Sequence, residues 1–233
     1  MGFVETAMAG ASNVETSCLD CHVLLDADRR RRRLCPRCEA DRAWRAFLSE
    51  VPHQLERLTF AFGAEYSAWT LEDFDPVDAQ HGFVCVERNV LYGILIVGDI
   101  GPGKTAFAAA LSRFWIFSGA GIRFTSLRKF FRQVRDTYRR RSAQSESDVI
   151  DPLTDADLLV LDDLGREGEA SQHVLSVLHD VVDDRIRFHR PTIITTNLSG
   201  KEIEARYKGA IASRLSLYDR IVLRGGDRRR EKR

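Results

Sequence analysis

Short apolar segments recur along the second half of the chain, and polar or glycine-containing sequence separates them. Five of these segments predict β-strands, at residues 91–97, 122–126, 158–162, 192–196 and 220–223. The amphipathic stretches between them predict helices at about 104–118, 127–141, 171–188 and 201–207. Alternating strands and helices are typical of a parallel sheet covered by helices on both faces. We therefore expect an α/β domain, a three-layer sandwich around a parallel five-stranded sheet.

The residues outside this pattern predict less regular structure. Segment 142–151 is polar and predicts a flexible loop. Residues 1–17 are small and polar and predict a mobile leader. Apolar side chains between residues 44 and 48 have helical spacing, which predicts a helical connector that ends before Pro52.

The composition is that of a soluble globular protein. Of the 233 residues, 44% are hydrophobic and 30% are charged, and the formal net charge is +1. Affinity for nucleic acid must therefore come from local basic patches rather than from the whole surface. No segment approaches the roughly 20 apolar residues of a membrane span, and the N-terminus lacks the pattern of a secretory signal. We expect a cytoplasmic protein with no membrane partner.

The segment GDIGPGKT, residues 98–105, follows a predicted strand and opens a predicted helix. Its glycines let the backbone wrap around phosphates and point N–H groups at them, at the positive end of a helix. Lys104 would reach the β- and γ-phosphates of a nucleotide, and the Thr105 hydroxyl would bind Mg²⁺. The alternative is an ordinary glycine-rich turn. The predicted nucleotide-binding residues are Gly98, Gly101, Pro102, Gly103, Lys104, Thr105 and Ala106.

Polar residues end two further predicted strands. In LLVLDDLG, residues 158–165, a buried strand delivers Asp162 and Asp163 to the edge of the sheet that carries the phosphate loop. Asp162 would hold Mg²⁺, and Asp163 would orient or deprotonate an attacking water. Asn197 follows TIITT and could contact the γ-phosphate or the water as a sensor. The simpler interpretations are a solvated strand end and an Asn in a turn.

Four cysteines near the N-terminus form two Cys-x-x-Cys pairs with the spacing C-x₂-C-x₁₃-C-x₂-C, at Cys18, Cys21, Cys35 and Cys38. Two such pairs predict a structural zinc site, because paired cysteines in the cytoplasm are more often metal ligands than disulfides. The alternatives are free thiols, a redox pair, or His22 in place of one cysteine. Five arginines, residues 29–33, lie between the pairs, available to DNA or an acidic protein surface. Cys85 predicts a buried small residue.

The predicted helix 127–141 has two distinct faces. The apolar face is predicted to pack on the sheet and comprises Leu127, Phe130, Phe131, Val134 and Tyr138. The basic face comprises Arg128, Arg132, Arg135 and Arg139. In an assembly of subunits, the basic face could line a channel and neutralise the backbone of single-stranded DNA. The alternative is a solvated basic surface.

The segments GDIGPGKT, LLVLDDLG, DDRIRFHRPTIITTNLS and GAIASRL together resemble the DnaC/IstB-type AAA+ ATPases, which include helicase loaders and transposition helper proteins. The resemblance begins near EYSAWTLEDFDP, residues 65–76, and extends almost to the C-terminus. It implies Mg²⁺-dependent ATP hydrolysis and ATP-dependent self-association. It also implies that Arg214 is an arginine finger for a neighbouring subunit's nucleotide; the alternative is a surface salt bridge.

Three further positions are compared with the family pattern, and two of them depart from it. Arg229 is implied to be a sensor arginine, but the run 228–230 leaves its register open. Ala106 stands where the family commonly has His, and Asp163 where most such ATPases have Glu. Too little chain follows the fifth predicted strand for the helical lid domain of larger AAA+ proteins.

We therefore predict an ATP-hydrolysing AAA+ protein, stimulated by DNA or a partner, that loads a replicative helicase onto single-stranded DNA. One alternative is a transposition helper that delivers a transposase to target DNA. Another is a nucleotide-dependent scaffold with negligible turnover, which the Asp at position 163 keeps open. The expected division is a leader at 1–17, a zinc-binding module at 18–45, a helical connector at 46–68 and an AAA+ ATPase domain at 69–233.

Overall fold

The computed structural model describes residues 42, 51–87, 93–99, 101, 103–138, 144–166, 168, 171–207 and 209–223. The chain divides into two compact units, Met1–Pro52 and His53–Arg233, and the description below concerns the second. Several predicted features lie outside the described residues: the leader, the cysteine pairs at Cys18, Cys21, Cys35 and Cys38, and the residues Pro102, Arg139 and Arg229.

A parallel sheet forms the centre of the second unit. Its strands in the described part of the chain are β1 (Ile94–Val97), β2 (Ile122–Ser126), β3 (Leu158–Leu164), β4 (Thr192–Thr196) and β5 (Asp219–Val222). They are arranged in the order β2-β3-β4-β1-β5, and every neighbouring pair is parallel. The five predicted strands and the parallel sheet are therefore confirmed.

Helices surround the sheet and connect its strands. They are α1 (51–62), α2 (Ala64–Ser67), α3 (Pro76–Glu87), α4 (Lys104–Phe117), α5 (Leu127–Thr137), α6 (Glu146–Thr154), α7 (Gln172–Arg187), α8 (Gly200–Tyr207) and α9 (Ala210–Leu215), with a 3₁₀ turn at Leu71–Asp73. Among the described residues, no helix has the length and apolar character needed to cross a membrane.

Alternate residues along the strands enter two separate hydrophobic cores. On β3, Leu159 and Leu161 pack with α5, α6, α7, α8 and α9 on one face of the sheet. Leu158 and Val160 point to the other face and pack with α1, α3 and α4. This alternation is the period-two geometry of a strand, and it produces the expected three layers. Cys85 on α3 is buried in the second core, as predicted.

The prediction of a flexible loop at 142–151 was wrong for residues 146–151, which belong to helix α6; residues 142 and 143 lie outside the described part of the chain. The Ser145 hydroxyl accepts a hydrogen bond from the Asp148 backbone N–H, and the Asp148 carboxylate accepts one from the Ser145 N–H. This capping box starts the helix and satisfies N–H groups that a helix end leaves free. The polar residues thus belong to the cap, while Val149 and Leu153 are buried in the hydrophobic core that α5 and α7 also form.

Tyr138 also differs from its prediction. Leu127, Phe130, Phe131 and Val134 are buried as expected, but the Tyr138 side chain is exposed. Helix α5 ends at Thr137, and the Tyr138 hydroxyl instead hydrogen-bonds with Glu146 on α6 and His173 on α7. A tyrosine carries a hydroxyl that usually forms a hydrogen bond where partners are within reach. The spacing of hydrophobic residues does not predict such bonds.

Arg185 on α7 is fully buried at the amino-terminal edge of the sheet. Its guanidinium donates to the Thr192 hydroxyl and to the backbone carbonyls of Leu153, Thr154, Ala156 and Pro191, over 2.6–3.0 Å. Burial lowers its pKa to about 10. One cation therefore joins α7 to the segments that lead into β3 and β4, and its own buried donors are hydrogen-bonded to their carbonyls.

Candidate nucleotide-binding site

The carboxyl ends of β1, β3 and β4 bring the predicted site residues to one edge of the sheet. Val97 at the end of β1 lies opposite Thr196 at the end of β4. The backbone N–H of Gly98 donates to the Thr196 carbonyl over 3.2 Å, so the phosphate loop leaves the sheet beside Asn197. Such an edge of a parallel sheet is where ligands bind in α/β proteins.

The loop turns sharply into α4 at Gly103. This residue has φ = 81°, a left-handed conformation that glycine adopts without strain, and it forms the N-cap of α4. A Cβ here would lie 3.5 Å from the Phe74 ring, which contacts Phe107 of α4. Phe74, which precedes the loop in the chain, therefore lies against it. The sequence pattern did not indicate this role. The N–H groups that open α4 face the space a phosphate would occupy.

Lys104 lies folded over the loop. Its Nζ donates to the carbonyls of Gly98 and Asp99 over 2.9 and 2.8 Å. Burial lowers the pKa of this ammonium, while the carboxylates of Asp163, Asp162 and Asp99 act in the opposite direction. The cation is thus held at the centre of the loop, where it can neutralise a phosphate.

Asp162 is hydrogen-bonded from two elements. The Thr105 hydroxyl, on α4, donates to both carboxylate oxygens over 3.0 and 3.1 Å, and the Thr195 hydroxyl, on β4, donates to Oδ1 over 2.6 Å. Burial raises the pKa of Asp162, and the bonds from the two threonines oppose that rise. Thr195 was not predicted as a site residue, although the two threonines that end the fully buried strand β4 could have indicated it.

Asp163 sits at a break in the β3 ladder. The pairing of β3 with β4 shifts register between Leu161 and Leu164, and Asp163 has φ = 61°, a conformation that Asp tolerates better than most residues. Its backbone N–H donates to the Thr195 hydroxyl over 2.9 Å. Its carboxylate lies 3.7 Å from Nη1 of Arg166, a third residue that the sequence did not indicate.

These side chains fit a magnesium nucleotide. Mg²⁺ in such sites takes one or two protein oxygens and completes its shell with phosphate and water. Thr105 and Asp162, already in contact, supply one hydroxyl and one carboxylate. Among the described residues, no cluster of three or more His, Cys, Asp and Glu side chains offers an all-protein cage. Lys104 and the loop N–H groups supply the positive surface for the phosphates.

The structure does not bring every predicted residue to this edge. Asn197 lies there, half-buried directly after β4. Ala106 is buried on α4 in the hydrophobic core, so its side chain contributes packing. Arg214 lies on α9, whose chain continues into β5, and Asp219 of β5 pairs with Ile94 at the start of β1. Arg214 is therefore near the amino-terminal edge, away from its own phosphate loop.

The predicted basic face is exposed on α5. Arg128, Arg132 and Arg135 line a shallow groove together with Ser126 and Lys129. Since α5 starts directly after β2, the first of these residues lies on the same edge of the sheet as the phosphate loop. The basic face thus shares no residue with the nucleotide site, but it begins at the same edge of the sheet.

A model of the family described as IstB-like ATP binding protein matches residues 16–226. The chain belongs to this family. The match confirms the resemblance seen in the sequence motifs, and it gives the phosphate loop an adenine nucleotide as its ligand. Nucleotide binding with Mg²⁺ agrees with the Lys104 and Thr105–Asp162 geometry.

Curated relatives and solved structures also resemble parts of this chain. The replicative helicase loader DnaC of Escherichia coli K12 is 28% identical over 120 residues, 52% of this chain and 48% of that protein. The match thus spans about half the length of this curated relative. A crystal structure of the DnaC helicase loader superposes with a TM-score of 0.59 at 21% identity, covering 69% of this chain and 99% of that one.

A structure of AMPPCP-bound DnaA from Aquifex aeolicus superposes with a TM-score of 0.60 at 17% identity, covering 73% of this chain and 53% of that one. Together, the two superpositions confirm the predicted AAA+ fold.

Replacing Thr195 with Val should weaken the use of Mg²⁺. The change removes the hydroxyl that donates to Asp162 and accepts from the Asp163 N–H. Loss of such a supporting contact typically costs about 10–100-fold in metal affinity. We expect ATP binding, followed with a fluorescent analogue, to require about tenfold more Mg²⁺.

The matched control is Thr196→Val, which removes an equally buried hydroxyl that bonds Leu164 and Leu198 instead. Equal Mg²⁺ requirements in the two variants would contradict the assigned role of Thr195.

Proposed function

We propose that this chain is a Mg²⁺-dependent ATPase that loads a replicative helicase onto DNA. The observation that carries the proposal is the phosphate loop with Lys104 and the Thr105–Asp162 contact, on a fold similar to the DnaC helicase loader. Curated relatives that carry that name match about half of this chain. The hydrolysis of ATP, the helicase as a partner and DNA as the target are all parts of the proposal.

In the proposed reaction, ATP binds with its phosphates against the loop and Lys104. Bound Mg²⁺ would neutralise charge on the β- and γ-phosphates. Thr105 and Asp162 would hold the ion, and Asp163 would orient the attacking water or accept its proton. Asn197, at the end of the neighbouring strand, would contact the γ-phosphate or the water.

The position of Arg214 supports self-association. A guanidinium that neutralises charge on the transferred phosphoryl group accelerates such reactions strongly. Arg214 lies near the opposite edge of the sheet from its own Lys104. In the proposal it therefore acts on the nucleotide of a neighbouring subunit, and ATP binds between two copies of the chain. Arg229, outside the described residues, is proposed as a sensor of the same nucleotide.

A transposition helper is the second candidate function. The observation in its favour is the family match itself, because the matched model is described as IstB-like. The two functions share the ATPase site and differ in the partner, a transposase in place of a helicase. A nucleotide-dependent scaffold remains the third candidate, since Asp163 has one methylene fewer than a Glu and holds its carboxylate closer to the backbone.

Lys104→Ala should abolish ATP binding and turnover, because it removes the cation at the centre of the loop. The control is Lys201→Ala, an exposed lysine on α8. ATP hydrolysis would be measured with and without single-stranded DNA. Wild-type protein that binds ATP but shows no turnover would contradict the ATPase and favour the scaffold.

The same pair of variants tests the partner. Full-length protein would be used to capture proteins from its native host with and without ATP. ATP-dependent recovery of a hexameric helicase, lost in the Lys104→Ala variant, is the expected result. Recovery of a transposase instead would overturn helicase loading.

We further propose that the α5 basic face binds single-stranded DNA. Replacing both Arg132 and Arg135 with Ala should weaken binding and reduce its salt dependence, because each lost phosphate contact lowers the slope of log K against log salt by about 0.7. The control variant Lys201→Ala/Arg220→Ala removes the same charge from exposed positions elsewhere. Equal salt slopes for the two double variants would exclude α5 from the DNA site.

We also propose that Cys18, Cys21, Cys35 and Cys38 bind one structural Zn²⁺, in a cytoplasmic protein whose thiols stay reduced. Metal analysis of the full chain should find about one zinc per molecule, a stoichiometry set by four thiolates per tetrahedral ion. The variant Cys35→Ser/Cys38→Ser should lose it. Cys85→Ala, which changes the cysteine buried in α3, should keep it. Zinc retained by the double variant would contradict the ligand set.

A further inference from the structure

Asp183 on α7 links two arginines that lie on different sides of it. Its Oδ1 accepts a hydrogen bond from Nε of Arg214 on α9. Its Oδ2 accepts one from Nη2 of Arg187, one turn further along α7, over 3.1 Å. The Asp183 side chain is 20% exposed and that of Arg214 is 37% exposed. The carboxylate is therefore fixed at both oxygens while its arginine partner on α9 still reaches solvent.

The contact uses Nε of Arg214 and leaves its other two nitrogens available. In the described part of the chain, neither terminal nitrogen of Arg214 has a hydrogen-bond partner. A guanidinium is planar, so anchoring Nε sets the plane in which the terminal nitrogens lie. The bond from Arg214 also lowers the pKa of Asp183, which keeps the carboxylate ionised at neutral pH.

The contact between Asp183 and Arg214 lies far from the nucleotide site of its own subunit. Helix α7 starts beyond the carboxyl edge of β3 and runs back along the sheet, and Asp183 is about 16 Å along its axis from the first residue. Two residues further on, Arg185 reaches the amino-terminal edge, where it donates to the Pro191 carbonyl that precedes β4. The anchored Arg214 thus faces outward where another subunit can approach.

We propose that Asp183 is a positioning residue for Arg214, which it holds through Nε so that assembly presents an already ordered guanidinium to the nucleotide of the neighbouring subunit. The inference rests on the proposed function, in which Arg214 acts between subunits. A long arginine side chain loses rotamer freedom when it engages a phosphate. Anchoring it beforehand removes part of that cost, and small misplacements of a catalytic group reduce rates strongly.

Asp183→Asn tests this role, with Asp184→Asn as its matched control. Asp184 is the next residue of α7 and lies 3.6 Å from the same Arg187, with no contact to Arg214. We expect Asp183→Asn to lower kcat about tenfold, since a displaced catalytic group costs up to about a hundredfold. The Kd for ATP should stay unchanged, because the variant's own site is intact. Asp184→Asn should behave as wild type in both measurements.

Mixing subunits separates positioning from general stability. Lys104→Ala chains lack a working nucleotide site but keep Asp183 and Arg214. Mixed in equal amounts with Asp183→Asn chains, they should give several-fold more ATPase activity than either variant alone, because an intact Arg214 then meets an intact site. Arg214→Ala chains should be rescued in the same way.

The outcomes distinguish the inference from the proposed function. If Lys104→Ala does not rescue Arg214→Ala, the role of Arg214 between subunits is wrong. If Arg214→Ala is rescued but Asp183→Asn keeps full activity, loses ATP affinity or is not rescued, then Asp183 does not position Arg214 and the inference is overturned.

Discussion

A buried carboxylate held by two threonine hydroxyls connects the phosphate loop to the middle of the sheet. Asp162 is 7% exposed, and a charge that leaves water must be compensated by partners. Thr105 supplies one from the first turn of α4, and Thr195 supplies the other from β4. The hydrogen bonds of the Asp162 carboxylate therefore constrain the relative positions of the phosphate loop, β3 and β4. The same constraint prepares the oxygens that Mg²⁺ would use.

The opposite edge of the sheet is organised by a cation. Arg185 is buried with its guanidinium donating to carbonyls that precede β3 and β4. Between these two polar centres, β1 and the Leu158–Leu161 part of β3 are apolar and buried on both faces, as is typical of parallel sheets. The domain thus combines a uniform hydrophobic interior with one ionic anchor at each edge. The anchors tie β3 and β4 to α4 and α7, and backbone pairing aligns the ends of β1, β3 and β4 at one edge.

Two groups of charged side chains lie at different places on the domain. Lys104, Asp162 and Asp163 form one centre at the carboxyl edge. Arg214 and Asp183 form another on the α7–α9 surface. Within one copy, the strands of the sheet lie between the two groups. In the proposed ATPase, the rate of ATP hydrolysis would therefore depend on the association of subunits.

Much of the fold and part of the site could be predicted from the sequence, because they depend on local patterns. Strands and the phosphate loop follow from the order of apolar runs, glycines and terminal carboxylates along the chain. Helix α6 was missed because its capping box, Ser145 with Asp148, consists of polar residues typical of loops. Tyr138 was misplaced because helical spacing does not show where a helix ends.

The sequence by itself determined the parallel α/β fold, the phosphate loop and the two carboxylates after β3, since each depends on residues close together in the chain. Only the tertiary structure decided the contacts of Thr195 with Asp162 and of Asp183 with Arg214, which join residues 33 and 31 positions apart. Partners so distant in sequence meet only when strand order and helix packing bring them together, and no local pattern of polar and apolar residues encodes that order.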